Sequence, residues 1–193
     1  MKNNLFKKNL YVIVEGLTEI IFLGHLNSLF DSNYNLIFIN AKDATRIIRE
    51  YKRIKKINPD ADVLVIYDLD GRKTVNNIMK EYKDNDIDIK RNQIFFINPT
   101  FELIFVLCKC RKTPIKSTDY NLYIKKYYGI NDYRKTETQL RRMVKCISKE
   151  DISYLLDNID RLLDNDSTSI RSSNLDKLLV DIFMIDIKMK TYQ

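Results

Sequence analysis

Val63-Leu64-Val65-Ile66-Tyr67-Asp68-Leu69-Asp70-Gly71 decides the fold. Its first five residues are apolar or aromatic and rich in β-branched types, the pattern of a strand buried on both faces of a parallel sheet. It ends abruptly in Asp68, Asp70 and Gly71. In open α/β sheets, ligands sit just beyond the carboxyl ends of the strands. Two carboxylates one residue apart at that edge can converge on a hard divalent cation such as Mg²⁺, which prefers oxygen ligands. Taken alone, Asp and Gly there need mean no more than a turn.

Upstream, Leu10-Tyr11-Val12-Ile13-Val14 reads as a short buried strand broken by Glu15-Gly16. Thr18 can cap a helix with Glu19 in its first turn, where negative charge is favourable. Residues 34–40 read as a second strand. Asp43 caps a helix whose Ala44, Ile47, Ile48, Tyr51 and Ile54 share one face, and Asn58-Pro59-Asp60 stops it. After the central strand come a helix over 74–83 and a fourth strand over 92–97. Asn98-Pro99-Thr100 opens another helix, with Glu102 in its first turn. Strands alternating with helices predict an α/β fold with a mainly parallel sheet of about four strands and right-handed crossovers. Beyond residue 112 the pattern turns helical, over 120–128, 136–147, 152–163 and 175–184. The expected organisation is an α/β core over 1–112 and a helical extension over 113–193 packed on it.

The chain has 193 residues, 45% hydrophobic and 31% charged, enough for one domain with a real core. Its longest apolar runs, 20–23 and 101–107, are far too short to span a bilayer, so no membrane partner is expected. The N-terminus shows no signal-peptide pattern. Cys108, Cys110 and Cys146 have neither metal-ligand spacing nor an even disulfide set. They read as free thiols of a reducing cytoplasm. The single histidine, His25, lies mid-helix in an apolar pattern and reads as a packing or surface residue. The net charge of +7 suits a polyanionic partner such as nucleic acid, though a solvated lysine-rich surface would look the same.

Glu15 ends the first strand, Asp68 and Asp70 the third, and Glu102 starts the helix after the fourth. A doubly wound sheet brings all four to one edge. Carboxylates crowded together raise one another's pKa unless a cation neutralises them. Each has a local explanation, as a loop acid, a turn or a helix start; a shared metal site explains all of them together.

Val14-Glu15-Gly16-Leu17-Thr18-Glu19, Asp68-Leu69-Asp70 and Asn98-Pro99-Thr100-Phe101-Glu102, in that order, resemble the TOPRIM fold, and more narrowly its RloB-like, abortive-infection branch. The likeness covers about residues 10–107, with looser matches at Tyr133-Arg134-Lys135 and Ser167-Thr168-Ser169. It implies a Rossmann-like core and a Mg²⁺- or Mn²⁺-dependent nuclease cutting phosphodiesters of RNA or DNA in phage defence or a mobile element. Glu15, Asp68, Asp70 and Glu102 would be the catalytic and metal-binding set, with Glu15 either a ligand or a general acid/base. Arg111, Lys112 and Lys135 are candidates for contacting phosphate, and each could equally be an ordinary surface cation. The other reading is a non-catalytic nucleic-acid-binding or regulatory subunit working with a separate ATPase. A homo-oligomer is also open. No Walker-type P-loop is present in the sequence, so this chain should not itself be such an ATPase.

Overall fold

The structure, a computed structural model, describes residues 7–30, 32–69, 74–98, 100–110, 120–164, 172–183 and 185, with the backbone alone of 160–164 and 172. The strands are β1 (Lys8–Val14), β2 (Tyr34–Asn40), β3 (Asp62–Asp68), β4 (Ile94–Asn98) and β5 (Ser172–Ser173). The helices are α1 (Leu17–Phe30), α2 (Ala44–Ile57), α3 (Val75–Asp84), α4 (Glu102–Lys109), α5 (Tyr120–Tyr128), α6 (Glu137–Lys145), α7 (Lys149–Asp164) and α8 (Leu175–Phe183).

The sheet order is β2-β1-β3-β4-β5. The first four strands are parallel and β5 is a two-residue antiparallel edge. This is the α/β, Rossmann-like arrangement that the alternating pattern predicts. From β1 the chain winds through α1 to β2 on one side. It then crosses through α2 to β3 on the other. Right-handed crossovers in opposite directions put α1 and α2 on opposite faces. The order therefore reverses between β1 and β3, the switch point where α/β sheets leave a crevice.

Side-chain alternation shows the two faces. Leu10, Val12, Val14, Leu64, Ile66, Phe95 and Ile97 pack with α1, α4 and α5 to α8. Ile13, Val63, Val65, Tyr67 and Ile94 pack with α2 and α3. Two residues per repeat along a strand make this division obligatory. It carries Asp68, next in the Leu64, Ile66 series, toward the α1 and α4 layer. That layer is held by Phe22 of α1, whose ring meets Phe101 and Phe105 edge-on, each with centroids 5.6 Å apart. Phe22 lies one turn after Glu19, and Phe101 immediately precedes Glu102, so this cluster sets the two acids' relative position. The opposite layer is tied by the buried hydroxyls of Tyr67 and Tyr82, 3.1 Å apart.

Local departures from expectation have local causes. Thr18 is the second residue of α1 rather than its cap, because the helix already begins at Leu17. The fourth strand starts at Ile94, since Arg91–Gln93 forms a 3₁₀ turn closed by the Gln93 side chain on the Lys90 N–H. The Asp43 cap is observed, its carboxylate accepting from the Arg46 N–H at 3.0 Å. The strand β5 has no periodic signal at two residues. It is held by Asn174, whose side chain accepts from the Phe96 N–H and donates to the Ile94 carbonyl.

The C-terminal helices join the α1 and α4 layer. His25 donates from Nε2 to the Ile147 carbonyl at 2.9 Å, so it is a packing residue. Cys108 and Cys110 are buried, Cys146 is exposed, and all three are free thiols. Asn158 of α7, 2% exposed, donates through Nδ2 to the carbonyls of Leu107 and Cys110, both at 2.8 Å. These carbonyls belong to the last turn and C-cap of α4. Asn158→Ala is expected to lower the unfolding free energy by about 2–3 kcal/mol, as buried acceptors lose their donors. Urea denaturation measures it; a change inside about 0.5 kcal/mol would show that the carbonyls find other partners.

Candidate functional site

Glu15, the first residue after β1, places its carboxyl under the neighbouring strand. Its Oε1 accepts the Asp68 N–H at 2.9 Å. The acid therefore spans the crevice between β1 and β3, at the switch point. Asp68 ends β3 with its side chain toward α1 and α4, and its Oδ1 is buried without a hydrogen-bond partner. Burial first, then the charges of Glu19, Glu15 and Glu102, push its carboxyl up to about 9, against the pull of the Phe101 N–H. A group so placed holds its proton at neutral pH.

Glu19 belongs to the same group. It is 3% exposed, and its Oε2 is buried with no partner. Burial pushes its pKa up to about 6, assisted by the charge of Glu102 and opposed by its own and the Gly16 N–H and by Lys135. A Cβ built on Gly16 would stand 3.3 Å from Oε2, so the missing side chain gives the carboxyl its room. Helix-start logic places Glu19 in the first turn but does not reveal its burial. The available signal was its spacing from Glu15: four residues across the break at Gly16 bring both acids to the same strand end.

Glu102, also 3% exposed, begins α4. Its Oε1 lies 2.8 Å from Lys135 Nζ, and the Tyr133 hydroxyl donates to the same oxygen at 3.3 Å. Burial works against the Lys135 ammonium. The hydrogen bond and charge of Glu102, with the charges of Asp68 and Glu19, nonetheless leave its pKa raised. Burial and Glu102 likewise raise the Tyr133 phenol. The segment carrying both residues is pinned by Gln139, which accepts from the Arg134 N–H and donates to the Asp132 carbonyl. Lys135 itself sits at φ +54°, a left-handed conformation costly for a side chain of its kind.

Glu15, Asp68 and Glu102 thus come to one edge of the sheet, with Glu19 among them and Lys135 against Glu102. Asp70, Arg111 and Lys112 lie outside the described residues. Among the described residues, no three carboxylate, imidazole or thiolate side chains are grouped so as to hold a metal ion. The donor set nonetheless suits a hard cation: it is all oxygen, and two buried carboxylate oxygens have no partner. Arg46, Arg49, Lys52 and Arg53 are on α2, whose buried side packs on the opposite face of the sheet. Among the described residues no helix is long and apolar enough to cross a membrane. The chain matches no family model, no curated protein and no solved structure at a significant level.

Proposed function

We propose that the chain is a Mg²⁺- or Mn²⁺-dependent nuclease of the TOPRIM, RloB-like kind, cutting RNA or DNA in phage defence or a mobile element and working in the cytoplasm. One observation carries the reading: Asp68, gathered with Glu15, Glu19 and Glu102 at the switch point, has its pKa pushed up to about 9 and a buried oxygen without a partner. A fold that only needed a turn after β3 would gain nothing from crowding acids there, since each buried carboxylate costs desolvation. Asp68, Glu102 and Asp70 would hold the cation, with Glu15 and Glu19 beside them. Bound there, a divalent ion supplies positive charge for a phosphoryl transition state and a nucleophilic water.

The chain's own residues set the geometry. Glu15 is fixed by the Asp68 N–H, which leaves its carboxyl at the crevice as a ligand or proton carrier. Asp68 must lose its proton before it can serve as a ligand, and Glu102 must exchange the Lys135 ammonium. That ammonium is then released at the edge where a phosphate would lie. The Lys135 and Glu102 pair also favours the second reading, a non-catalytic nucleic-acid-binding subunit that works with a separate ATPase, because it neutralises one acid from within.

Incubating the purified chain with labelled tRNA, single-stranded RNA, and single- and double-stranded DNA separates the two readings. Cleavage in Mg²⁺ or Mn²⁺ that EDTA abolishes is the expected result. Salt-sensitive binding without cleavage in any metal assigns the chain to the second reading.

A further inference from the structure

Among the described residues the strand β2 is an edge of the sheet, and its sequence, Tyr34-Asn35-Leu36-Ile37-Phe38-Ile39-Asn40, is seven residues long without a charge or a proline. None of the seven is buried, although four are large and aliphatic or aromatic in the strand's centre. Edge strands are normally blunted by charge, proline, a bulge or short length, because their open N–H and C=O groups accept another strand. This one carries none of these devices over its full register with β1.

The orientation of its backbone follows from the ladder. The Ala41 N–H donates to the Val14 carbonyl. In a parallel pair, residues of that parity bond inward, so the N–H and C=O groups of Leu36 and Phe38 face outward. Phe38 also lines a groove of about 460 Å³ between α1 and α6. Its walls are Leu17, Ile20, Ile21 and Val144, and Arg141 and Lys145 stand at its rim. Both cations are exposed; Arg141 is paired with Glu137 one turn earlier at 2.7 Å, across an exposed, solvent-screened contact.

We infer that the outer edge of β2 takes an extended acidic segment of a partner protein as an added strand. Three features select that occupant. Open backbone groups pair with a polypeptide, which nucleic acid cannot match. The groove beside Phe38 offers apolar walls to a side chain on that face of the added strand. Lys145, together with Arg141 once it exchanges its exposed Glu137 partner, favours Asp or Glu alongside the groove. A second copy of this chain fits less well, because a two-fold pairing of β2 with itself would bring like basic helices together on a chain of net charge +7.

Selection of a phage-displayed random dodecapeptide library on the full chain tests this. The expected peptides alternate apolar residues with Asp or Glu. Phe38→Pro removes an outward N–H and leaves the β1 ladder intact, so it should weaken the selected peptides by at least about tenfold. Arg141→Gln with Lys145→Glu, on the exposed side of α6, should weaken them similarly, and it decides the matter if Phe38→Pro does not fold. Failure to enrich any such peptide overturns the inference. So does binding that both variants leave unchanged. Concentration-dependent dimerisation in sedimentation, abolished at the β2 edge, would give the surface to a second copy and overturn it as well.

Discussion

Asp68→Asn is expected to abolish divalent-cation binding and metal-dependent cleavage, and at the same time to make the metal-free protein more stable. The amide keeps the size of the carboxyl and removes its charge. Loss of groups that only orient metal ligands costs roughly 10–100-fold, so loss of the proposed ligand itself should cost at least about a hundredfold in rate. The stability gain follows from the raised pKa of about 9 in the folded chain. In the unfolded chain an aspartate titrates near about 3.9. Between those values the unfolded state has released the proton that the folded state retains. Stability therefore falls as pH rises through this window, by up to about 1.4 kcal/mol per pH unit from this group alone. Asparagine has no proton to lose and escapes that fall. In EDTA, the stability difference between Asp68→Asn and wild type should widen by a few kcal/mol (roughly) from pH 5 to pH 8. Glu19, raised to about 6, adds a smaller fall of the same sign in both proteins at the acid end. Parallel pH profiles for the two proteins would mean that Asp68 is solvated and ionised. A variant that still cleaves would remove Asp68 from the proposed chemistry.

Lys135→Met is expected to tighten Mn²⁺ binding by roughly tenfold or more, the worth of about 1.4 kcal/mol. The ammonium holds the oxygen of Glu102 that a cation would need, at 2.8 Å and against a largely buried carboxylate. Removing one partner of such a pair leaves the other charged and unpaired, at a cost of a few kcal/mol (about 3–5 when burial is complete). Lys135 is itself partly exposed, so the lower end applies. The metal-free variant should accordingly lose stability, and Mn²⁺ should restore more of it than in wild type. Isothermal titration and thermal unfolding with and without Mn²⁺ read both effects. Tyr133→Phe serves as the comparison, because it removes the weaker contact at 3.3 Å without changing charge. Equal Mn²⁺ affinity in wild type and Lys135→Met would show that the lysine does not compete. Absence of binding in both would count against the metal itself, a separate failure. Calorimetry in buffers of different ionisation enthalpy should also detect a proton released on binding near pH 7, since Asp68 holds one.

What the sequence determined by itself was the parallel sheet and the end of it at which the strands' acidic residues emerge. The run from Val63 to Tyr67 can only be buried on both faces, and alternation with helices of α2's type forces parallel strands and right-handed crossovers. The breaks at Glu15-Gly16 and after Tyr67 put Glu15 and Asp68 at the strand ends, because chain direction in a parallel sheet leaves no other edge for them. Tertiary structure alone decided which acids share a space. Glu19 reads as a helix-start residue until the packing of Phe22 on Phe101 and Phe105 presses α1 against α4 and buries it. Lys135 reads as one surface cation among many until the Gln139 contacts hold its segment over Glu102. The edge position of β2 was equally hidden, since a strand's neighbours depend on crossover direction and not on its composition. The physical reason is the same in each case. Backbone periodicity is local and is written in consecutive residues, whereas desolvation and ion pairing depend on groups far apart in the chain, 33 residues apart for Glu102 and Lys135, that only packing brings together.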